Sequence, residues 1–121
     1  MSALHIARNV IGWSRIGLGA LLFVAPRVAA RAWLGPDGDN AGVGLLFRSI
    51  GARDIALGAG LLAAEPANKS WSRAGVAADV GDVIGSLVAL GPVPTRRLLP
   101  GTLLAAVFVV AGLLLERNDS R

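Results

Sequence analysis

Away from their ends, the apolar stretches of this chain carry six charged side chains: Arg15, Arg48, Arg53, Asp54, Asp79 and Asp82. Three are positive and three negative, so the set sums to zero. The stretches run over about residues 6–25, 41–64, 71–90 and 98–115, each long enough as a helix to cross a hydrocarbon core of about 30 Å. None shows the period-two alternation of a membrane barrel strand. An ionised group at the centre of a membrane helix costs roughly 2.5–3.5 kcal/mol. The chain must therefore fold so that these groups find one another. We expect an all-α protein, a single integral membrane four-helix bundle over residues 1–121.

Hydrophobic residues make up 54% of the chain and charged residues 17%, against about 25% charged in a typical soluble domain. The stretches are not equally fit for lipid. In 41–64, nine Val, Leu, Ile and Phe residues bring about −3 to −5 kcal/mol on an insertion scale, while Arg48, Arg53 and Asp54 cost about +8 to +10. That helix should not sit alone in a bilayer, and 71–90, with Asp79 and Asp82, has the same problem. The last stretch has no charge from Leu98 to Leu115 and inserts readily.

Depth along the helices predicts the pairs. The polar turn Glu65 to Ser70 makes an antiparallel hairpin of the second and third helices. Arg53 and Asp82 are equally distant from its centre and should come level near mid-membrane. Asp79 sits one turn from Asp82 on the same face. Arg53 is thus expected to be shared between Asp79 and Asp82, which the guanidinium fork suits. Counting from the middle of the 26–40 connection brings Arg15 to Asp54 as a second pair. Arg48 lies about 140° around its helix from Arg53 and is the least obviously paired of the six.

Small residues form a second pattern. Ala77, Gly81, Gly85 and Ala89 repeat every four residues, and Gly44, Gly51 and Gly58 every seven. Such stripes let helix backbones approach closely. Gly51, Gly58, Gly81 and Gly85 are expected to pack the second and third helices together or to form a dimer seam.

The connections carry their own signals. Pro26 opens a short amphipathic, interfacial turn near 27–34, with Arg27 and Arg31 on one face and Trp33 beside them. Trp33 and Trp71 both fall at expected membrane boundaries. Gly91-Pro92-Val93-Pro94 reads as a rigid turn, and Pro100 fits near the start of the last helix. The first stretch also reads as a cleaved signal peptide, with Arg8 and Arg15 as its basic region and Ala30-Arg31-Ala32 as its cleavage site. Five cations (Arg8, Lys69, Arg73, Arg117, Arg121) face four (Arg27, Arg31, Arg96, Arg97) across the bundle. The excess predicts cytoplasmic termini in a multi-pass protein of the cell (inner) membrane. It is also the near-tie of an antiparallel, dual-topology dimer.

Several chemistries are excluded. The chain has no cysteine and one histidine, His5. It therefore holds no thiolate metal site, iron–sulfur cluster or cysteine nucleophile, and with its one histidine at the N-terminal edge, outside the four stretches, no Ser-His-Asp triad is expected. Its Gly-x-Gly pairs lack the strand and lysine of a phosphate loop. Ser14, Ser49 and Ser86 lie in helices with no His or Lys base and should bond their own backbone carbonyls. No catalytic, cofactor-binding or metal-ligating set is expected. The pI of about 11.4 comes from scattered arginines, which suit lipid headgroups rather than nucleic acid.

Gly12-Trp13-Ser14-Arg15-Ile16-Gly17-Leu18-Gly19, followed by Phe47-Arg48-Ser49-Ile50-Gly51-Ala52-Arg53-Asp54-Ile55-Ala56-Leu57-Gly58, resembles a group of small uncharacterised bacterial membrane proteins with four helices. The helix-two pattern Arg-x-x-Gly-x-Arg-Asp-x-x-x-Gly and the helix-three Asp pair carry the likeness. It implies the four-helix fold and no particular activity. Small multidrug exporters share the length but rely on a membrane-embedded Glu in the first helix, where this chain has Arg15. Dual-topology fluoride channels share the length too, but their Phe and Asn pattern is missing here.

Two functions fit these residues. One is a structural or interaction subunit, glued by a buried Arg/Asp layer and packing with itself or a larger membrane complex, with the bilayer as its constant partner. The other is a small transporter or channel for an ion or small polar solute, using the same charges. A dry salt-bridge layer around Arg53 favours the first, and a pocket favours the second.

Overall fold

The computed structural model describes residues 2–88 and 95–119. It is all-helical, with α1 at Ala3–Val24, α2 at Pro26–Leu34, α3 at Ala41–Ala63, α4 at Ser70–Val88 and α5 at Thr95–Asp119. The expected turn at Gly91-Pro92-Val93-Pro94 and Ala89 of the small-residue stripe lie outside the described residues.

Local chemistry sets the boundaries. Ser2 caps α1, its Oγ accepting the His5 N–H at 3.2 Å. The helix stops at Ala25 because Pro26 cannot continue it, and Pro26 then opens α2 at a first-turn position. The chain bends there by 97°. The short interfacial turn is thus a nine-residue helix lying across the end of the bundle. Gly35, at φ 64, closes it in a conformation that other residues rarely adopt. Arg31 donates to Asp39 at 2.8 Å and Arg27 lies 3.6 Å away, clasping the connection. The Arg31 hydrogen bond and charge hold the Asp39 carboxyl below its usual range. Asn40 then caps α3, its Oδ1 accepting the Gly42 and Val43 N–H groups. The last helix begins at Thr95, so Pro100 falls inside it rather than near its start. Its missing N–H removes one rung of the helical ladder there.

The helices associate as two pairs. The most extensive contact joins α1 to α3 and the next joins α4 to α5, while contacts between the pairs are sparse. Glycines explain the first pair. A Cβ on Gly58 would lie 2.5 Å from the Gly12 carbonyl oxygen, and one on Gly51 would lie 2.5 Å from that of Gly19. The seven-residue spacing of Gly51 and Gly58 is therefore matched by Gly12 and Gly19 in α1. These glycines pack α3 against α1, not against α4 as the stripe pattern suggested. Gly81 and Gly85 depart further from expectation: a Cβ on either would meet nothing within 4 Å. Ala77, Gly81 and Gly85 form an exposed stripe. They do not pack within the chain because α4 turns its other side to α5. There Val76 fills the space above Gly112.

Polarity is distributed inside out. Arg8, Arg15, Asp54 and Asp79 are buried, while Trp13, Phe23, Leu45, Leu103 and Val107 are exposed. By itself only α5, over Pro100–Arg117, is long and apolar enough to cross a membrane among the described residues. The other long helices carry the charges that lower their hydropathy.

Gly58→Ala should lower thermal stability by about 1–3 kcal/mol, because the added Cβ meets backbone that must move. Gly17→Ala, where a Cβ meets nothing within 4 Å, should cost none. Melting of the two variants in the same detergent checks this, and equal losses would refute the packing role of Gly58.

Candidate functional site

The sparse space between the two helix pairs is bridged by charge. Arg15 of α1 grips Asp79 of α4 with both outer nitrogens, one of them 3.2 Å from Oδ1. Its Nη1 also lies 3.7 Å from Asp54 of α3. Arg53 of α3 grips Asp82 of α4 at 2.9 and 3.2 Å and reaches Asp54 at 3.3 Å. The result is a continuous row, Asp79–Arg15–Asp54–Arg53–Asp82, across three helices. The level of Arg53 with Asp82 follows from the hairpin count. The sharing differs from expectation: Asp79 belongs to Arg15, and Asp54 is the carboxylate that the two arginines share. The Gly12–Gly58 and Gly19–Gly51 contacts explain why. They set a register that brings Arg15 level with Ile55, next to Asp54.

Arg15 is the most enclosed cation of the row, at 4% exposure, and Asp54 and Asp79 are at 5% and 3%. A fork closed on a carboxylate is the geometry that lets such charges be buried at all. The rest of the guanidinium surface is also covered. Its Cζ lies 4.8 Å from the Phe108 ring centroid of α5. Gly75 of α4 leaves the space it occupies, since a Cβ there would approach Nη2 to 2.9 Å. The Arg53 and Asp82 side chains, at 34% and 24%, lie nearer the surface.

Arg48 is not part of this layer. It is exposed and, among the described residues, makes no hydrogen bond or ion pair. It borders a separate groove with Arg27 and Pro26 at the α2 end. Five residues of helix separate it from Arg53, which turns it to another face. The balance of six charges therefore does not describe the interior. Among the described residues the layer holds two arginines and three aspartates.

Arg8, counted in the sequence as a loop cation, is instead buried. It donates to the carbonyls of Leu61 and Ala64 at 2.9 and 3.1 Å, covering the C-terminal end of α3. The signal available in the sequence was its place seven residues before Arg15, two helical turns along the same face. Ser49 bonds the Leu45 carbonyl at 3.0 Å, as expected of a helical serine, while the Ser86 side chain lies outside the described residues.

The layer is not packed over on every side. Arg15, Asp54, Asp79 and Asp82 line one side of a cavity of about 250 Å³. Its remaining walls are apolar and include Ile50 of α3, Leu104 and Phe108 of α5, and Ala32 and Trp33 of α2. Trp33 stands edge-on to Phe47 at 5.8 Å and lies against Gly101, beside Pro100. The α2 helix thus stands over the end of the cavity remote from Asp79. Among the described residues no cluster of His, Cys, Asp and Glu could hold a metal ion.

No protein-family model, curated protein or solved structure matches this chain. What it does must be read from the cavity and the charges that line it.

Removing Asp79 leaves an enclosed guanidinium with only the longer 3.7 Å contact to Asp54, so Asp79→Asn should cost about 3–5 kcal/mol. Removing Asp82 leaves the more exposed Arg53 with Asp54, so Asp82→Asn should cost about 1 kcal/mol. Detergent-solubilised unfolding of both variants provides the comparison. A larger loss for Asp82→Asn would overturn the ranking.

Proposed function

We propose that this chain is a multi-pass protein of the cell membrane and a small carrier or channel, with its charged layer as the solute site. The cavity carries the reading. A layer that served only as glue would be packed dry, because each void beside it forfeits contacts and invites water. Here four of the five charges of the layer line open space instead. Intramembrane ionisable groups that face a cavity mark solute and ion paths by default. The apolar exterior supports the membrane assignment. So does the length of the helices: α1 and α3, at 22 and 23 residues, match a hydrocarbon core. Of the long helices, α5 enters lipid unaided, and the others bring charges that are satisfied against each other.

The absence of cysteine makes the spanning direct to test. Single Asp37→Cys and Glu65→Cys variants flank α3 at its two ends. A membrane-impermeant maleimide should label them from opposite sides, or each at half yield from both sides if the chain inserts in both orientations. Complete labelling of both from one side would exclude a spanning α3. Transport is tested in proteoliposomes with sodium, chloride, glycerol and benzylammonium. At least one should cross faster than in protein-free vesicles, and Ala32→Trp, which fills the cavity, should abolish that flux. No flux for any of the four would sink the carrier reading.

The exposed stripe of α4 favours a second role, self-association. Gly81 directly precedes Asp82, whose pair with Arg53 is the least buried part of the layer. A second copy laid on Ala77, Gly81 and Gly85 would shield that pair from lipid and bring backbones into close contact. Gly81→Leu and Gly85→Leu should leave the melting of the monomer unchanged and abolish cross-linked dimer. Unaltered dimer yield would refute this seam.

A further inference from the structure

The two arginines of the layer do not serve the three aspartates equally. Each closes both outer nitrogens on a carboxylate of α4, Arg15 on Asp79 and Arg53 on Asp82. Asp54 receives only what is left over. It accepts one hydrogen bond, from Arg53 at 3.3 Å, and lies 3.7 Å from Arg15, both contacts reaching the same oxygen, Oδ1. Its Oδ2 accepts no hydrogen bond among the described residues. Asp54 is nonetheless 5% exposed and lines the cavity. A buried carboxylate normally fills its acceptor sites, because an unmet one costs more than an ordinary hydrogen bond returns.

Sign follows from the same geometry. An anion entering the cavity meets Arg15 with both outer nitrogens already committed, beside three carboxylates. A cation that carries N–H donors meets an open acceptor. Size and polarity follow from the walls. Ile50, Leu104 and Phe108 offer no polar partner for a hydrated ion, but with the Trp33 ring they suit an apolar body.

We propose that Asp54 is the recognition carboxylate for a small protonated amine with an apolar body, its ammonium donating to Oδ2 and its body lying toward Trp33. This rests on reading the cavity as a solute site and names the class of solute. Asp54 touches the ligand directly, while Arg15 and Arg53 hold its Oδ1 and so fix the direction of Oδ2.

The test uses the full chain in nanodiscs and two probes of similar shape, benzylammonium and neutral benzyl alcohol, in equilibrium titration. Benzylammonium should bind about tenfold to a hundredfold more tightly, the worth of one hydrogen bond to a charged group. Asp54→Asn should erase that preference while benzyl alcohol binds as before. A measurement on the unaltered protein covers the case in which this variant does not fold. Benzylammonium, and not benzyl alcohol, should slow carbodiimide modification at Asp54, located by mass spectrometry. Equal affinity for the two probes, or protection of Asp82 with none at Asp54, would overturn the amine assignment and leave the solute site standing. Binding of neither probe would overturn both.

Discussion

Arg15 is the constraint on which the rest of the structure depends. An enclosed guanidinium is tolerable only if its donors are met and its faces are covered. Meeting them recruits every long helix. Asp54 comes from α3, Asp79 and the bare backbone at Gly75 from α4, and the Phe108 ring from α5. The two helix pairs touch little otherwise. Their relative position is therefore specified by directional charge contacts more than by interdigitated apolar side chains. This suits a bundle in lipid, where an apolar interface gains little over apolar solvent but an unmet charge has nowhere else to go.

The glycines are the other half of that constraint. A side chain as long as arginine can be level with its partner only if the helices that carry the pair are held in one register. Gly12 with Gly58, and Gly19 with Gly51, lock α1 and α3 backbone to backbone above and below Arg15. Larger residues at those four positions would separate the axes and let the register slide. Close approach and charge pairing are thus one device, in which small residues set the distance and the charges set the level.

Much of this was legible in the sequence, and the failures have physical causes. The helices could be cut from apolar runs and prolines to within a few residues. The meeting of Arg53 with Asp82 followed from counting outward from one short turn. The count across the longer 26–40 connection also brought Arg15 to Asp54, which lies 3.7 Å from its Nη1. The partner of Asp79 was missed because sequence gives depth along a helix but not which of two neighbouring helices a face will meet. The same ambiguity sent the Gly51 and Gly58 stripe to the wrong partner. Arg8 and Arg48 exchanged places because a cation near a helix end has two outlets, the water beyond or the bare carbonyls of an adjacent helix terminus. Only packing decides between them.

The cavity follows from the same conflict. Filling it would take bulk at Ala105 on α5, or at Ala29 or Ala32 on α2, and each of these positions holds a small residue. Pro100 weakens the α5 wall at that level, and the 97° bend at Ala25 carries α2 across the end of the bundle instead of into the gap. A chain under selection for stability alone has simple remedies here, since a single larger apolar residue gains roughly 0.8 kcal/mol for each methylene it buries. A row of buried charges with an unfilled apolar space beside it gives up that gain. On the proposed reading the space is kept for a solute that comes and goes, and the acceptor left open on Asp54 marks the end that recognises it.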